Sequence, residues 1–329
     1  MEKSIGTAIV VGGSAGIGRA VVERLIGRGY RVGVMARGED RLRQMEDEFG
    51  TDWVRGVSCD AAVDAEVQRA TDEIVAAFGT PSVWVNSAML TAYSPFREMP
   101  AEEFDAIVGA TFTGQVNGAR AALRVMKEGS LVCIGSGLSY RAIPLQSAYC
   151  AAKHAINGFA ESLRSELLHD GTPIALSLVQ LPAVNTPQFD WAKNRLDAHP
   201  QPAPPIYQPD VAAKAVMKAI DGGNREVLVG APSLQLVFGD MLAPGLMDRF
   251  LARKGYDMMK NDDRQQHPSR GPNTFEPADY PSTPYGSFGD RAYDRGIALD
   301  GDLARTVAFA APVILAVAAG AVGMRMARR

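Results

Sequence analysis

This sequence has few of the residues that mark disulfide-rich, metal-binding or nucleic-acid-binding proteins. Its 329 residues include three cysteines, none of them spaced as CxxC, and four scattered histidines. The cysteine pattern argues against a disulfide framework, and the scattered histidines do not predict a metal site. The formal net charge of -3 does not predict a nucleic-acid partner. We therefore expect a protein that binds no metal and no nucleic acid.

A signal peptide is also absent from the pattern of the first residues. The N-terminus has no positively charged segment followed by an apolar one, and it runs directly into a predicted strand at residues 7–11. Cys59 and Cys133 lie in or near predicted strands, which favours reduced cysteines in the core. Together these features predict a cytoplasmic protein.

A glycine-rich loop joins the strand at residues 7–11 to a predicted helix at residues 19–28, and a second strand follows at residues 30–36. Glycines permit a tight turn and let backbone N–H groups approach a pyrophosphate at the helix N-terminus, where the helix dipole favours an anion. The pattern predicts a dinucleotide site, and an ordinary strand–helix turn is the alternative. The loop residues expected to bind the cofactor are Gly12, Ser14, Ala15, Gly16, Ile17 and Gly18.

Predicted strands and helices alternate along the first 230 residues. This alternation predicts an α/β fold with a doubly wound parallel sheet and right-handed crossovers. Ligands of such sheets bind at the carboxyl ends of the strands. The residues that directly follow predicted strands, and should meet at this edge, are Gly12, Asp60, Asn86, Ser136 and Pro182.

Tyr149 and Lys153 are four residues apart in a predicted helix, so they share one of its faces. A free phenol ionises at about pH 10, and a neighbouring ammonium group favours the phenolate and lowers that pKa. A hydroxyl from Ser136, at the end of the preceding strand, would hold a carbonyl oxygen beside the phenol. This set suits proton transfer to or from an alcohol or ketone. The alternative is a surface tyrosine and lysine on an amphipathic helix.

Three regions depart from the alternation of strands and helices. Residues 187–209 are rich in proline and lie just past a strand end, which predicts a loop that covers the substrate; a surface excursion is the alternative. Residues 231–255 are apolar and predict one or two helices, broken at Pro244 and Gly245. Residues 256–305 are polar, and we expect a linker that is largely without fixed structure.

The tail at residues 306–324 carries no charge, and three arginines follow it. Its length matches a membrane-spanning helix, although its alanines and glycines contribute little transfer energy. The positive-inside rule keeps the arginines in the cytoplasm, on the same side as the rest of the chain. An interfacial helix at the cytoplasmic face of a membrane satisfies both rules, while a true span and a soluble docking helix are the alternatives.

These features together resemble the classical short-chain dehydrogenases/reductases over about residues 5–230. The TGxxxGxG loop of that family is matched at residues 11–18, with Val11 in place of the usual threonine. The serine thirteen residues before the tyrosine is matched by Ser136, and the YxxxK pair by Tyr149 and Lys153. The resemblance implies a Rossmann-type doubly wound sheet in a single catalytic domain, residues 1–230, followed by a C-terminal extension.

The same resemblance implies a role for each matched residue. Tyr149 would be the general acid/base, and Ser136 would hold the substrate oxygen. Lys153 would hold the nicotinamide ribose and lower the pKa of Tyr149. Beyond the glycine-rich loop, the residues implied to bind the cofactor are Asp60 at the adenine, Asn86, Ala88, Tyr149, Lys153, Pro182 and Thr186.

Two positions depart from the family pattern. The NNAG segment reads Asn86, Ser87, Ala88 and Met89, so methionine replaces the glycine near the cofactor. Thr111 replaces the asparagine that often supports a water relay to the lysine. Because a threonine hydroxyl can still hold a water, Thr111 remains a candidate catalytic residue.

The second predicted strand ends at Arg37, where an acidic residue would accept the ribose 2′-OH of NAD. An arginine there suits a 2′-phosphate through its charge and bidentate geometry, so the pattern predicts NADP(H). A solvated loop arginine is the alternative.

We expect an NADP(H)-dependent oxidoreductase that acts on a small apolar carbonyl or alcohol substrate, and a homo-oligomer. Two other classes of function remain open at this point. One is a catalytically weak nucleotide-binding protein, which Thr111 and Met89 would favour. The other is a membrane-anchored regulatory or scaffold protein whose tail matters more than its site.

Overall fold

Eight strands form the central sheet of the computed structural model, which describes residues 4–261 and 272–310. In chain order they are β1 (Gly6–Val11), β2 (Tyr30–Ala36), β3 (Val54–Ser58), β4 (Pro81–Asn86), β5 (Gly129–Ile134), β6 (Ile174–Gln180), β7 (Glu226–Val229) and β8 (Ala298–Asp300). They lie side by side in the order β8-β7-β6-β5-β4-β1-β2-β3. Neighbouring strands are parallel except β8, which is antiparallel to β7. The predicted Rossmann-type doubly wound sheet is therefore confirmed.

Helices cover both faces of this sheet because alternate strand residues point to opposite sides. Ala8 and Val10 of β1 belong to one buried core, whereas Ile9 and Val11 belong to the other. The α-helices between residues 16 and 258 are α1 (Gly16–Gly27), α2 (Glu39–Phe49), α3 (Asp64–Phe78), α4 (Ala101–Val108), α5 (Gly114–Val125), α6 (Ser147–His169), α7 (Gln188–Trp191), α8 (Pro209–Gly222), α9 (Gly230–Leu242) and α10 (Pro244–Met258). The first core includes residues of α1, α2 and α8, and the second includes residues of α3, α5 and α6.

Residues 102–126 do not form one continuous α-helix in the structure. A π-helical turn at Gly109–Thr113 separates α4 from α5. This turn coincides with Thr111, whose hydroxyl accepts from the N–H of Leu90 and donates to its C=O, at 3.0 Å in each case. Hydrophobic periodicity does not reveal a single wide turn, because the pattern resumes in the next helical turn.

The proline-rich loop at residues 187–209 is fixed to the rest of the chain by short strand pairs. Besides α7 it contributes three two-residue strands, each of which pairs with a strand elsewhere in the sequence. These pairs join Lys193–Asn194 to Ala92–Tyr93, His199–Pro200 to Lys260–Asn261, and Ile206–Tyr207 to Ala292–Tyr293. Two of the three partners therefore come from the C-terminal part of the chain.

We expected a linker largely without fixed structure at residues 256–305, but residues 256–261 hold the end of α10 and a short strand, and residues 272–305 form an ordered segment. This segment adds β8 to the sheet and buries Phe288 completely. Its polar composition was misleading because it is held mainly by hydrogen bonds to side chains and backbone of the sheet domain, rather than by an apolar face of its own. Residues 262–271 lie outside the described part of the chain.

Of the tail predicted at residues 306–324, the structure describes only residues 306–310, which continue a helix that begins at residue 301. The rest of the tail lies outside the described residues. Within residues 4–261 and 272–310, no helix combines the length and the apolar character needed to cross a membrane.

Candidate active site

A cavity of about 610 Å³ opens at the carboxyl ends of the parallel strands. It extends from the glycine-rich loop to helices α9 and α10. The predicted site residues that line it are Gly12, Ser14, Ala15, Gly16, Ile17, Arg37, Asp60, Ala88, Ser136, Tyr149, Lys153, Pro182 and Thr186. Three other predicted residues, Gly18, Asn86 and Thr111, are buried outside this lining. The strand-end residues thus converge on one cavity, with the exception of Asn86.

Ser136 lies two residues after the end of β5 and is held on several sides. Its N–H donates to Gln180 Oε1 at 2.8 Å and to Ser139 Oγ at 3.2 Å. Its own Oγ accepts from the N–H of Leu138 at 3.1 Å, which completes a capping box around a short 3₁₀ turn. The backbone therefore fills one acceptor position of this hydroxyl, which also forms a hydrogen bond with Tyr149.

Tyr149 and Lys153 lie on the first turns of α6 and face the cavity together. Lys153 Nζ lies 5.5 Å from the centroid of the Tyr149 ring and donates to the C=O of Ile134 at 2.7 Å. Burial lowers the pKa of Lys153 to about 7. An ammonium group carries three donors, so a bound ligand with hydroxyl groups would find unused N–H groups here.

The sequence predicted that Lys153 would lower the pKa of Tyr149, but burial dominates this pKa in the structure. Burial raises the pKa of Tyr149 above its usual range, and a hydrogen bond with Ser136 only partly opposes that rise. Desolvation of the phenolate therefore outweighs the neighbouring groups. In this environment Tyr149 is a protonated phenol at neutral pH, which is the form that can donate a proton.

Asn86 and Gln115 support the site from behind. Asn86 donates from Nδ2 to the C=O of Gln115 at 3.2 Å and accepts from Trp84 Nε1 at 2.9 Å. Gln115 in turn donates from Nε2 to the C=O of Ile134 at 3.0 Å, the same oxygen that Lys153 uses. Asn86 therefore fixes the helix that positions Gln115, and it does not reach the cavity.

Thr111, a candidate catalytic residue from the sequence, is buried outside the cavity lining. Its hydroxyl is fully buried, and the backbone of Leu90 occupies both its donor and an acceptor position. The neighbouring Ala110, one residue earlier in the π-helical turn, lines the cavity instead. The Thr111 side chain thus holds the segment after β4 in place.

The glycine-rich loop has the tight geometry that its sequence predicted. Gly12 adopts a φ of +78°, and a Cβ atom there would lie 2.5 Å from the backbone nitrogen of Ala88. A Cβ atom at Gly18 would lie 2.2 Å from the C=O of Gly12, so this glycine allows α1 to pack against the loop. The N-terminus of α1 has no side-chain cap, and its N–H groups lie beside the cavity at Ile17.

Arg37 lies at the far end of the cavity, where the C-terminal segment crosses it. Its Nη1 donates to the C=O groups of Thr274 and Phe275, both at 3.2 Å, and its Nη2 donates to the C=O of Asn273 at 2.5 Å. Arg41 is held in a similar way by the C=O of Ala278 at 2.6 Å. Of the five N–H groups of Arg37, these contacts with described residues leave Nε–H and one Nη2–H.

The C-terminal segment also contacts the glycine-rich loop directly. The N–H of Gly16 donates to the C=O of Thr283 at 2.9 Å. Ser282 Oγ donates to the C=O of Ser14 at 3.1 Å and accepts from Arg19 Nε at 3.2 Å. Residues 273–283 therefore form a strap along the end of the cavity that holds the glycine-rich loop and Arg37, and we call this the nucleotide end below. No pattern in the sequence indicated the strap.

The other end of the cavity is apolar. The apolar side chains that line it, drawn from the turn after β5, from α7 and from the region of α9 and α10, are Leu138, Ile143, Phe189, Leu236, Met247, Phe250, Leu251, Met258 and Met259. The sequence predicted apolar helices at residues 231–255 but did not place them at the site. Their position directly after the last parallel strand could have indicated it, because ligands bind at the carboxyl ends of such strands.

Comparisons with known proteins agree with this arrangement. Residues 6–195 match the family model described as short chain dehydrogenase. An uncharacterized oxidoreductase YxnA from Bacillus subtilis (strain 168) is 28% identical over 278 residues, which cover 82% of this chain and 75% of that protein. Momilactone A synthase from Oryza sativa subsp. japonica is 31% identical over 233 residues, which cover 66% of this chain and 84% of that protein.

A solved structure has the same fold. A short chain dehydrogenase/reductase from Burkholderia phymatum, determined in complex with NAD, superposes with a TM-score of 0.63 at 21% identity. The superposition covers 80% of this chain and 99% of that one. At this level of identity the likeness concerns the fold alone.

The low pKa of Lys153 predicts a dependence of stability on pH. In the unfolded chain a lysine keeps a pKa of about 10.4. Between pH 7 and that value the unfolded state binds more protons at this residue than the folded state, so the free energy of unfolding rises with pH. Relative to Lys153→Met, the unliganded wild type should gain about 2 kcal/mol between pH 7 and pH 9.

Urea denaturation of both proteins at a series of pH values measures this difference. Lys127→Met provides a matched control, because Lys127 is an exposed lysine away from the cavity. Its pH dependence should equal that of the wild type. Parallel curves for the wild type and Lys153→Met would show that Lys153 is not desolvated in solution.

Proposed function

Because this chain belongs to the short-chain dehydrogenase family, we propose that it is an NADP(H)-dependent oxidoreductase acting on an apolar alcohol/ketone pair. One observation carries the proposal. A single cavity has a glycine-rich loop and Arg37 at one end, Ser136, Tyr149 and Lys153 in its wall, and an apolar chamber at the other end. This order matches a dinucleotide whose nicotinamide end meets a substrate beside the tyrosine.

The residues of the cavity fit a nicotinamide dinucleotide. The N-terminus of α1 has no side-chain cap, and although Thr283 accepts the N–H of Gly16, the N–H groups of Ile17 and Gly18 and the helix dipole suit a pyrophosphate. The absence of a Cβ at Gly12 lets the loop pack closely on the backbone of Ala88, which sets the shape of the loop beside that helix N-terminus. Asp60 lies at the end of β3 and lines the cavity, where an adenine ring would lie. At the other end, the unused N–H groups of Lys153 suit the hydroxyls of a ribose.

Arg37 supports a preference for the phosphorylated cofactor. The two N–H groups that the strap leaves free, Nε–H and one Nη2–H, suit a bidentate contact with a 2′-phosphate. The C=O groups of the strap hold the guanidinium in place before any ligand binds. A fixed orientation reduces the entropy that binding would otherwise cost. The relative of known structure in complex with NAD is a different protein, and it does not decide this preference.

The chain's own residues would carry the proton and hold the substrate. A bound nicotinamide supplies or accepts the hydride. In reduction, the substrate oxygen accepts hydrogen bonds from the hydroxyls of Ser136 and Tyr149, and the Tyr149 phenol gives its proton to the oxygen as the alcohol forms. The charge left on Tyr149 is stabilised by the ammonium of Lys153 nearby. Oxidation of the alcohol reverses these steps.

The apolar chamber favours an apolar substrate of moderate size. Its aliphatic and aromatic side chains offer no charged partner beside the catalytic groups, and a bound apolar group would be removed from water there. Phe250 and Met247 of α10 line the chamber. The Phe250 side chain is also exposed to solvent, so this side of the chamber lies at the molecular surface. A substrate with a single carbonyl and an apolar body therefore fits best.

Two further expectations concern partners. We retain a homo-oligomer as a proposal on the sequence alone. We also propose that the tail at residues 306–324 associates with the cytoplasmic face of a membrane as an interfacial helix. These residues carry no charge, and the three arginines that follow them can reach a headgroup layer.

Tyr149→Phe should abolish turnover and leave cofactor binding nearly intact. The substitution removes the phenol proton but keeps the ring and its packing. General acid/base groups contribute on the order of 10² to 10⁴ in rate. Steady-state rates at saturating substrate and NADPH titration measure both effects. A mutant that retains more than half of the wild-type rate would rule out Tyr149 as the proton donor.

NADPH should bind more tightly than NADH, and Arg37→Asp should reverse that order. The substitution removes a partner of the 2′-phosphate and places a like charge beside it. Loss of a charge-assisted hydrogen bond costs roughly 1.5 to 3 kcal/mol, which is about tenfold or more in affinity. Arg43→Asp, at an exposed arginine in the following helix α2, is the charge-matched control and should leave the order unchanged. Equal affinities of the wild type for the two cofactors would show that Arg37 has no such role.

The membrane proposal is tested by fractionating cells that express the full chain or a chain ending at Arg305. We expect the full chain to sediment partly with membranes and the shortened chain to remain soluble. A protease applied only to the outer side should leave a C-terminal tag intact. A wholly soluble full chain would contradict the proposal, and cleavage of the tag from outside would indicate a true span.

A further inference from the structure

A buried ion pair joins the C-terminal helix to the central sheet. Glu226, the first residue of β7, is 1% exposed. Its Oε2 lies 2.5 Å from Nη1 of Arg305, in the helix at residues 301–310. The start of this helix approaches so closely that a Cβ atom at Gly301 would lie 2.6 Å from the same carboxylate oxygen. An isolated carboxylate in such a position would be costly, so its partner matters.

The second oxygen of Glu226 is also engaged. Oε1 accepts hydrogen bonds from the hydroxyl of Tyr140 and from Nε2 of Gln180, the latter at 3.0 Å. Arg305 Nη2 donates to the same Tyr140 oxygen at 2.9 Å, which closes the network around the carboxylate. Burial, with Glu226 beside it, raises the pKa of Tyr140, so its phenol remains a donor at neutral pH.

Gln180 connects this network to the proposed active site. Its Nε2 has two oxygen acceptors, Glu226 Oε1 and Asn157 Oδ1, the second at 2.9 Å. Two acceptors on one side require the NH₂ group there, so the amide oxygen must face the other way. On that other side Oε1 accepts the N–H of Ser136 at 2.8 Å.

The approach of Gln180 to the serine segment is close. A Cβ atom at Gly135 would lie 2.2 Å from Gln180 Oε1, so the backbone before Ser136 packs directly on this amide. The orientation of one amide therefore fixes the backbone that carries the proposed substrate-binding hydroxyl. That orientation depends on the carboxylate, and the carboxylate depends on Arg305.

We propose that Arg305 is a positioning residue for Ser136, acting through Glu226 and Gln180. The proposal deepens the proposed function and rests on it. Arg305 lies far beyond residues 6–195, which match the family model, so this contribution belongs to the C-terminal extension of this chain. Without Arg305, Glu226 loses its ion-pair partner in the core, and the amide of Gln180 loses its preferred orientation. The N–H of Ser136 then loses the shorter of its two hydrogen bonds and keeps only Ser139 Oγ as an acceptor.

The test compares Arg305→Met, which removes the charge, with Arg305→Lys, which keeps it. Arg305→Met should lower kcat about tenfold or more with little change in the affinity for NADPH, because a displacement of about 1 Å at a reacting group can cost on the order of a hundredfold. Arg305→Lys should restore most of the rate. Arg28→Met removes an arginine from an exposed ion pair with Asp221 and should behave as the wild type.

A double variant distinguishes the relay from a general loss of stability. Gln180→Met should reproduce the fall in kcat, and Arg305→Met combined with Gln180→Met should be no worse than the more severe single change, because both act through one path. Urea denaturation of every variant gives the stability that must be separated from the rate. Independent, multiplying effects on kcat would overturn the proposal.

Hydrogen exchange provides a readout that does not need turnover. In Arg305→Met the amide of Ser136 should exchange at least about tenfold faster, while amides in the middle of β5 keep their protection. In Arg305→Lys it should exchange as in the wild type. An inactive wild type would contradict the proposed function alone, since the exchange result still decides the relay. An unchanged exchange rate of the Ser136 amide in Arg305→Met, or an equal rise in exchange rate throughout the sheet, would overturn the proposed role of Arg305.

Discussion

The burial of Lys153 imposes the main constraint on this site. An ammonium group inside a protein needs acceptors, and the one that the described structure provides is the C=O of Ile134 at the end of β5. That oxygen can face the lysine only if β5, helix α6 and helix α5 keep a fixed relation. Gln115 donates to the same oxygen and Asn86 holds the backbone of Gln115, so two buried amides maintain that relation. The cavity forms where these elements meet.

The C-terminal extension completes the site from two directions. At the nucleotide end, the strap at residues 273–283 orients Arg37 and contacts the glycine-rich loop. At the catalytic end, Arg305 balances the buried charge of Glu226, one amide away from Ser136. Both contacts use polar groups of the extension on charged or polar groups of the sheet domain. A segment of this kind can be polar in sequence and still be an ordered part of the structure.

The sequence predicted those features that follow from local spacing. Three such features depend on residues close together in the chain: the glycine-rich loop, the Tyr149–Lys153 pair, and the alternation of strands and helices. In the structure the loop and the pair line one cavity. The roles of Thr111 and Asn86 could not be predicted in this way, because each depends on a distant partner, Leu90 for one and Gln115 for the other. The strap was missed because most of its hydrogen bonds are accepted by backbone C=O groups, which every sequence has. The raised pKa of Tyr149 follows from burial, which spacing does not show.

The proposed activity of this protein is hydride transfer between NADPH and an apolar carbonyl compound, both bound in this cavity. The most direct measurement follows the absorbance of NADPH while the purified full chain is mixed with a panel of apolar ketones and aldehydes. We predict that NADPH is consumed with at least one member of the panel, in equal amount to the alcohol formed, and that NADH supports a slower reaction. Tight binding of NADPH without consumption by any carbonyl compound, and without its formation from the corresponding alcohols, would contradict the account.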